Sequence, residues 1–502
     1  MRQPAKLAEL FTGLTRPSPS RRAVQATLVA WTFVWTLYLI VTSWPGGLHP
    51  DMSEAFAWSL HPDWSYAKHP PVEAWTTGLW FLVFPRADWA FHLLAVTNIA
   101  LTIWVFWLIA ERYLPSDRRV VAVALQTLVF LVTFHAFRYN ANSAQMPWWA
   151  LATMFFLGSF ETREIAIAAA AGVAGALAIL TKYYALFLIA GFALAALSHP
   201  DRWKYFKSRA PWVSASVGLA CLAPHFYWLF THDPTPIDYA VAANHLPRSQ
   251  AALAGIVCLV SCFLFALFAL IVFIVTVQPA KADALEIVRP SDAGRRLRLV
   301  AFAAPFLLSL VVLVALGKGP TDVWNIPAWS LFGVVLLGPP QLIVSQGARV
   351  RVVSVMLLFP IVALAVSPIA AYINDQYGND RDAGFVEQLA PAVEKEWHKT
   401  NMSPLAYVEG SAENGIAFYA SDHPLPRGAT QPTDMDRRGV AMVCLAEDLA
   451  CVQKLDDAIA DRPDGHRTMV RVGFRFLGAE RMSPNFVLGI IPPRTTVPVG
   501  SR

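Results

Sequence analysis

The chain has 502 residues, 56% of them hydrophobic and 15% charged, with a formal net charge of +5; its mean hydropathy is +0.44. Soluble domains run closer to half apolar and a quarter charged, so this balance excludes an ordinary soluble protein and indicates an integral membrane one. The 18 Trp, 31 Phe and 13 Tyr suit many lipid-facing and interfacial rings.

Arg21 and Arg22 precede the first apolar run, 24–44, which ends in "VTSWPGG". The run is longer than a secretory-signal core and lacks a small-residue cleavage site, so it reads as an uncleaved span. Next comes "GGLHPDMSEAFAW", where Asp51 and Glu54 sit three residues apart just beyond the apolar run. On a helix that spacing puts both carboxylates on one face. The stretch 72–84, "VEAWTTGLWFLVF", is too short to span and reads as a helix lying in the interface.

Further apolar runs predict spans at 88–110, 119–136, 143–160, 164–180, 183–198, 211–230, 251–278, 297–316, 326–345 and 351–371, about eleven in all. With the N-terminal tail 1–23 in the cytoplasm, the inward segments hold 20 Lys and Arg. The outward loops hold six: Lys68, Arg86, Arg138, Lys182, Arg248 and Lys318. This bias sets the orientation. The first loop, 45–87, then faces outside, which in a bacterium is the periplasm, and an odd span count puts 372–502 there too.

Residues 372–502 read as a small periplasmic α/β domain after a transmembrane domain at 24–371. "PLAYVEG", "GVAMVCL", "TMVRVGFRF" and "FVLGIIP" predict strands, and "SAENGIAFYA" and "AEDLACVQKLDDAIA" predict helices. Cys444 would end a strand and Cys451 would lie in the following helix; an oxidising periplasm favours a disulfide between them, two unpaired thiols being the alternative. Cys221, Cys258 and Cys262 fall in apolar runs and read as packing residues. No internal repeat, P-loop, Rossmann glycine pattern, CxxC or HExxH is present.

Lys68 in "YAKHPPVEAW", Arg138 in "HAFRYNANSAQMPWW" and Lys182 in "ILTKYYALFLIAG" each stand at or near the end of a hydrophobic run. Such a cation snorkels to the interface or pairs with an anion. Three of them on the same side as two carboxylates point to a site: a carboxylate can take the proton of an attacking hydroxyl, and cations can hold a phosphate leaving group.

The ordered segments "DMSEAFAW", "YAKHPPVEAW", "FRYNANSAQMPWWAL", "TKYYALFLIAG" and "APHFYWLF" resemble bacterial family-39-type glycosyltransferases of the GT-C fold, relatives of protein O-mannosyltransferases and lipid A aminoarabinose transferases. The resemblance covers about residues 45–240 motif by motif and the remainder by architecture. It implies Asp51 as catalytic base with Glu54 as its acidic partner, Lys68, His69, Arg138, Lys182 and Tyr183 as donor-phosphate contacts, and Asn140, Asn142 and His225 as substrate contacts. The chain departs from the pattern in three places. Arg138 stands where Lys is usual, Thr181 replaces Gly, and "SAQMPWW" lacks an acidic residue found near the fourth span of broader relatives.

The implied reaction is an inverting transfer of a sugar from a polyprenyl-phosphate-linked donor to lipid A, core oligosaccharide or another glycolipid at the periplasmic face of the inner membrane. Membrane lipids are expected partners and nucleic acid is not. The resemblance implies no obligate cofactor and leaves a divalent metal open: some lipid A transferases that the chain resembles hold one near the donor, though no histidine spacing here forms a metal triad. The main alternative is protein O-glycosylation. An alternative of another class, a lipid-carrier flippase or transporter, would need polar groups along a path through the bilayer, whereas these charges gather at one face.

Overall fold

The computed structural model describes residues 11–44, 47–232, 235–377, 385–427, 435–477 and 479–494. Residues 1–10 of the predicted tail, 45–46 of the first loop, and 378–384, 428–434 and 495–502 of the predicted C-terminal domain lie outside them. Six described helices are long and apolar enough to cross a membrane: Arg21–Ser43, Asp88–Tyr113, Ala210–Thr231, Arg248–Val277, Ala293–Ala315 and Gln346–Asp375. Met146–Thr162, Ile165–Thr181 and Leu186–Ser198 are shorter helices of the same apolar character. The Arg248–Val277 helix leaves Ile256, Val260, Phe263, Ile271 and Ile274 exposed, as a lipid-facing surface requires.

Two predicted spans take another form. The 119–136 run is helical only over Ser116–Thr127. Beyond it the Phe130 amide leaves the helical pattern and donates to the Phe265 carbonyl at 3.0 Å. The 326–345 run is a 3₁₀ stretch, Asp322–Leu331, and a five-residue helix, Phe332–Leu336, halted before Pro339 and Pro340. Prolines supply no amide donor, and periodicity alone does not distinguish a buried irregular run from a span.

The chain divides into two compact units: residues 1–38, 64–73 and 92–365 form one, and 39–63, 74–91 and 366–502 form the other. Most of the first loop therefore clusters with the C-terminal domain. In the larger unit small residues let helices meet at backbone distance. A Cβ on Gly172 would lie 2.4 Å from the Ser214 carbonyl oxygen, one on Gly191 2.9 Å from the Pro305 ring, and one on Gly333 2.3 Å from the Ala122 carbonyl oxygen. Trp35, fully buried, sits among Phe134, Phe137 and Phe359 at centroid distances of 5.4, 4.8 and 5.9 Å.

The smaller unit carries a five-stranded sheet ordered β2-β1-β3-β7-β4, from Leu425–Pro426, Tyr407–Gly410, Val440–Leu445, Phe486–Ile491 and His466–Val470. β1 runs parallel to β2 and β3, and β7 antiparallel to β3 and β4. Strand alternation feeds two cores: Ala441 and Val443 face Leu389, Val393 and Trp397, while Val440, Met442 and Cys444 face Leu455. The run "TMVRVGFRF" is two strands, not one, because the Val472 amide and carbonyl turn to Ser483 at 3.0 and 2.8 Å. Its second half, β5 (Gly473–Phe476), pairs only with β6 (Ala479–Met482). The helix Val386–His398, unread in the sequence, covers the first core.

Cys444 on β3 is bonded to Cys451 in the Leu449–Ala460 helix, their Cα atoms 5.6 Å apart. Thiol labelling of denatured, unreduced protein should modify Cys221, Cys258 and Cys262 only, and prior reduction should add two sites; labelling of Cys444 and Cys451 without reductant would remove the bridge.

Candidate active site

The larger unit builds a cationic cluster around a helix break. The Ile165–Thr181 helix ends at Lys182, whose backbone is extended, before the 3₁₀ turn Tyr183–Ala185. Carbonyls at a helix end need outside donors. Here the Gln145 side-chain amide adds a second donor, at 2.8 Å each, to the Ala178 and Lys182 carbonyls, which also accept from the Lys182 and Ala185 amides at 3.1 Å. The Lys182 ammonium in turn donates to Asn142 Oδ1 at 2.6 Å and lies 5.4 Å from the centre of the Trp324 ring.

The segment before that break positions Asn142. Asn140 caps the short Ala141–Ala144 helix, its Oδ1 accepting from the Asn142 and Ser143 amides at 3.0 and 3.3 Å. Ser143 Oγ accepts from the Asn140 amide at 3.0 Å and donates to the Arg138 carbonyl at 3.0 Å, so the capping box also ties down the main chain at Arg138. The Asn140 side-chain oxygen is thus occupied in shaping the loop, Asn142 touches the lysine, and the Arg138 side chain is exposed.

Tyr183 and His225 form a second contact pair. His225 Nδ1 lies 2.7 Å from the Trp64 carbonyl, which can only accept, so Nδ1 carries the proton and Nε2 accepts from the Tyr183 hydroxyl at 2.9 Å. His69 packs its ring 6.0 Å from that of Tyr239. Burial, then the positive charges of Lys182 and Lys68, push the His69 pKa well below the ordinary histidine value. Lys68, His69 and Lys182 therefore share one electrostatic neighbourhood. Lys318 does not act as a free cation: its ammonium donates to the Val241 and Ala243 carbonyls, the latter at 2.9 Å.

The carboxylates belong to the smaller unit. The Pro50–Ser59 helix starts with His49 as N-cap, its Nδ1 accepting from the Asp51 amide at 3.2 Å. Asp51 Oδ2 lies 3.7 Å from the same ring nitrogen and the side chain remains partly exposed, as does Glu54 one turn on. Among the described residues no group of three or more His, Cys, Asp or Glu is placed to hold a metal ion.

The sequence reading missed Gln145, Trp324 and Asn325. Asn325 Oδ1 accepts from the buried Tyr184 hydroxyl at 2.8 Å. For Trp324 and Asn325 the signal is "GPTDVWNIPAW", where polar groups and a Trp interrupt an apolar region just before the run at 326–345; Gln145 lies inside the 143–160 run.

Residues 68–228 match the family model described as dolichyl-phosphate-mannose-protein mannosyltransferase. A curated protein, the lipid A galacturonosyltransferase RgtD of Rhizobium johnstonii, is 23% identical over 196 residues, 39% of this chain and 41% of that one. The match thus spans less than half of that relative's length. The ArnT structure from Cupriavidus metallidurans bound to undecaprenyl phosphate superposes with a TM-score of 0.60 at 14% identity, covering 96% of this chain and all of that one. Its apo form gives 0.58, with 92% and 97% covered at 14% identity. The chain is therefore a multi-pass membrane protein with the GT-C-type fold of ArnT, and the resemblance read from its motifs holds.

The low His69 pKa fixes a pH dependence. A histidine whose pKa falls on folding binds its proton better when unfolded, so the folded state loses stability as pH drops below the unfolded value of about 6.5. His69→Gln should therefore flatten the fall in Tm between about pH 6.5 and 5 seen for the unaltered protein. Parallel Tm–pH curves for the two proteins would show that His69 takes up its proton equally in both states.

Proposed function

We propose that the chain is an inverting glycosyltransferase that moves a sugar from a polyprenyl-phosphate-linked donor to a lipid A, core-oligosaccharide or other glycolipid acceptor. The observation that carries the reading is the Lys182 ammonium, held in a helix break by Asn142 and Trp324, with Lys68 and His69 in its electrostatic neighbourhood. A cation among apolar helices favours an anion beside it, and a lipid-linked phosphate is an anion carried on an apolar chain. Undecaprenyl phosphate bound to the ArnT of the same fold, and the lipid A specificity in the name of the 23%-identical relative, support donor and acceptor classes of this kind.

In this reading Lys68, Arg138 and Lys182 stabilise the charge that grows on the departing phosphate, and Asp51 takes the acceptor hydroxyl proton as its oxygen attacks the anomeric carbon. Glu54 is the acidic partner, and His69, Tyr183, Asn140, Asn142 and His225 contact donor or acceptor. Attack opposite the phosphate inverts the anomeric configuration. Sugar nucleotides do not suit this reading, because they are made in the cytoplasm and the charge bias supports a periplasmic face for these loops. Transfer to a protein hydroxyl is the second reading, favoured by the description of the family model that matches 68–228.

Asp51→Asn removes the base while keeping size, so turnover should fall by roughly 10²–10⁴ with donor binding little changed. Lys182→Ala should instead weaken donor binding by about 1.5–3 kcal/mol, and Lys182→Arg by less. The assay is transfer from a polyprenyl-phosphate sugar in nanodiscs, with donor binding measured on the same preparations. Wild-type turnover by folded, donor-binding Asp51→Asn protein would reject Asp51 as base. Mass spectrometry of lipid A, core and membrane proteins from cells with and without the gene separates the two acceptor classes. The orientation has its own test: a reporter fused after Tyr377 should be active only in the periplasm, and one after Arg289 only in the cytoplasm.

A further inference from the structure

The helix that presents Asp51 and Glu54 has ten residues, too few to be stable alone. Its support comes from the C-terminal domain within the same unit. Two consecutive aromatics at the end of the Glu413–Tyr419 helix make the contact. Phe418, buried, meets Phe56 of the acidic helix edge-on at 5.0 Å, and also Phe81 and Phe91 at 5.9 and 6.0 Å. Tyr419 supplies the polar half: its hydroxyl donates to Asp88 Oδ1 at 2.9 Å and accepts from the Leu48 amide at 2.7 Å.

That second bond reaches the main chain one residue before the His49 cap and three before Asp51. The approach depends on Gly47, where a Cβ would lie 2.7 Å from the Tyr419 oxygen. A hydroxyl that both donates and accepts uses its single proton on the carboxylate and a lone pair on the amide, so its orientation is fixed. Burial and the negative charge of Asp88 hold the phenol pKa well above its ordinary value, keeping that proton in place.

We infer that Tyr419 is a positioning residue for the proposed transfer: through the Leu48 amide it sets the start of the acidic helix, and so where the Asp51 carboxylate stands. This rests on Asp51 being the base. Phenylalanine at 419 would keep the ring packing while leaving the Leu48 amide and the Asp88 carboxylate without the hydroxyl.

The test is full-length Tyr419→Phe in nanodiscs, read in two ways. In the transfer assay, kcat should fall by roughly 10²-fold with donor KM and donor affinity unchanged, since a base displaced by about 1 Å costs catalysis and not binding. In amide hydrogen exchange, Leu48 and the first turn of the Pro50–Ser59 helix should lose protection while β3 and β7 keep theirs. Unchanged protection at Leu48 would overturn the inference, as would a wild-type kcat beside an impaired Asp51→Asn. Loss of protection throughout β3 and β7 would also overturn it, making Tyr419 a folding residue. The exchange readout needs no turnover, so the other failures are told apart: absence of transfer by the unaltered protein rejects the transferase reading, and full activity of Asp51→Asn rejects the base, whatever Tyr419→Phe does to Leu48.

Discussion

An ammonium group set into a break between two short apolar helices is the constraint on which the arrangement of the larger unit turns. A lysine there has to be held, and so does the backbone it interrupts. The molecule answers with side chains from elsewhere in the unit: Gln145 bonds the carbonyls on either side of the break, Asn142 takes the ammonium, and Asn98 holds the Ser143 carbonyl at 2.7 Å, fixing the turn that carries Asn142. Each of these amides is buried, so each is costly to leave unmatched. The polar chain can form only with the surrounding helices in register, which ties the packing of the bundle to the geometry of its cations.

The smaller unit solves a different problem. The carboxylates here are partly exposed and so are not fixed by burial; the helix bearing them is anchored from its apolar face and its start. Phe56 provides the first anchor and the Leu48 amide the second, while Asp51 and Glu54 keep their exposure. Arg86, counted in the sequence among outward cations, stacks its guanidinium 5.0 Å from the centre of the Phe56 ring and belongs to this anchoring.

Much of this was legible in the residues, and what was not failed for physical reasons. The long spans and most strands of the C-terminal sheet follow from run length and alternation, which local sequence carries directly. Lys182 could be singled out because a cation beside an apolar run is conspicuous, whereas Asn142 and His225 came only from the resemblance of their motifs to a known family. Their partners could not: that Asn140 caps and Asn142 binds, though two residues apart in one motif, depends on which way a four-residue helix starts. Gln145 was hidden inside an apolar run that reads as span, and Trp324 in the loop before one. The grip of Tyr419 on Leu48 joins residues 371 positions apart, and no periodicity reports such a contact.

The irregular stretch after Asp322 has a consequence for how the chain is assembled in the membrane. Its carbonyls draw side-chain donors from far upstream: Arg118 donates to those of Leu337, Pro339 and Pro340, and Gln126 to those of Trp329 and Ser330. Left alone in a bilayer, such a segment would expose backbone that lipid cannot hydrogen-bond. It can therefore settle only where the Ser116–Thr127 helix already waits. Synthesis from the N-terminus delivers that helix some two hundred residues earlier, so the order in which the ribosome supplies the chain matches the order in which its parts become stable.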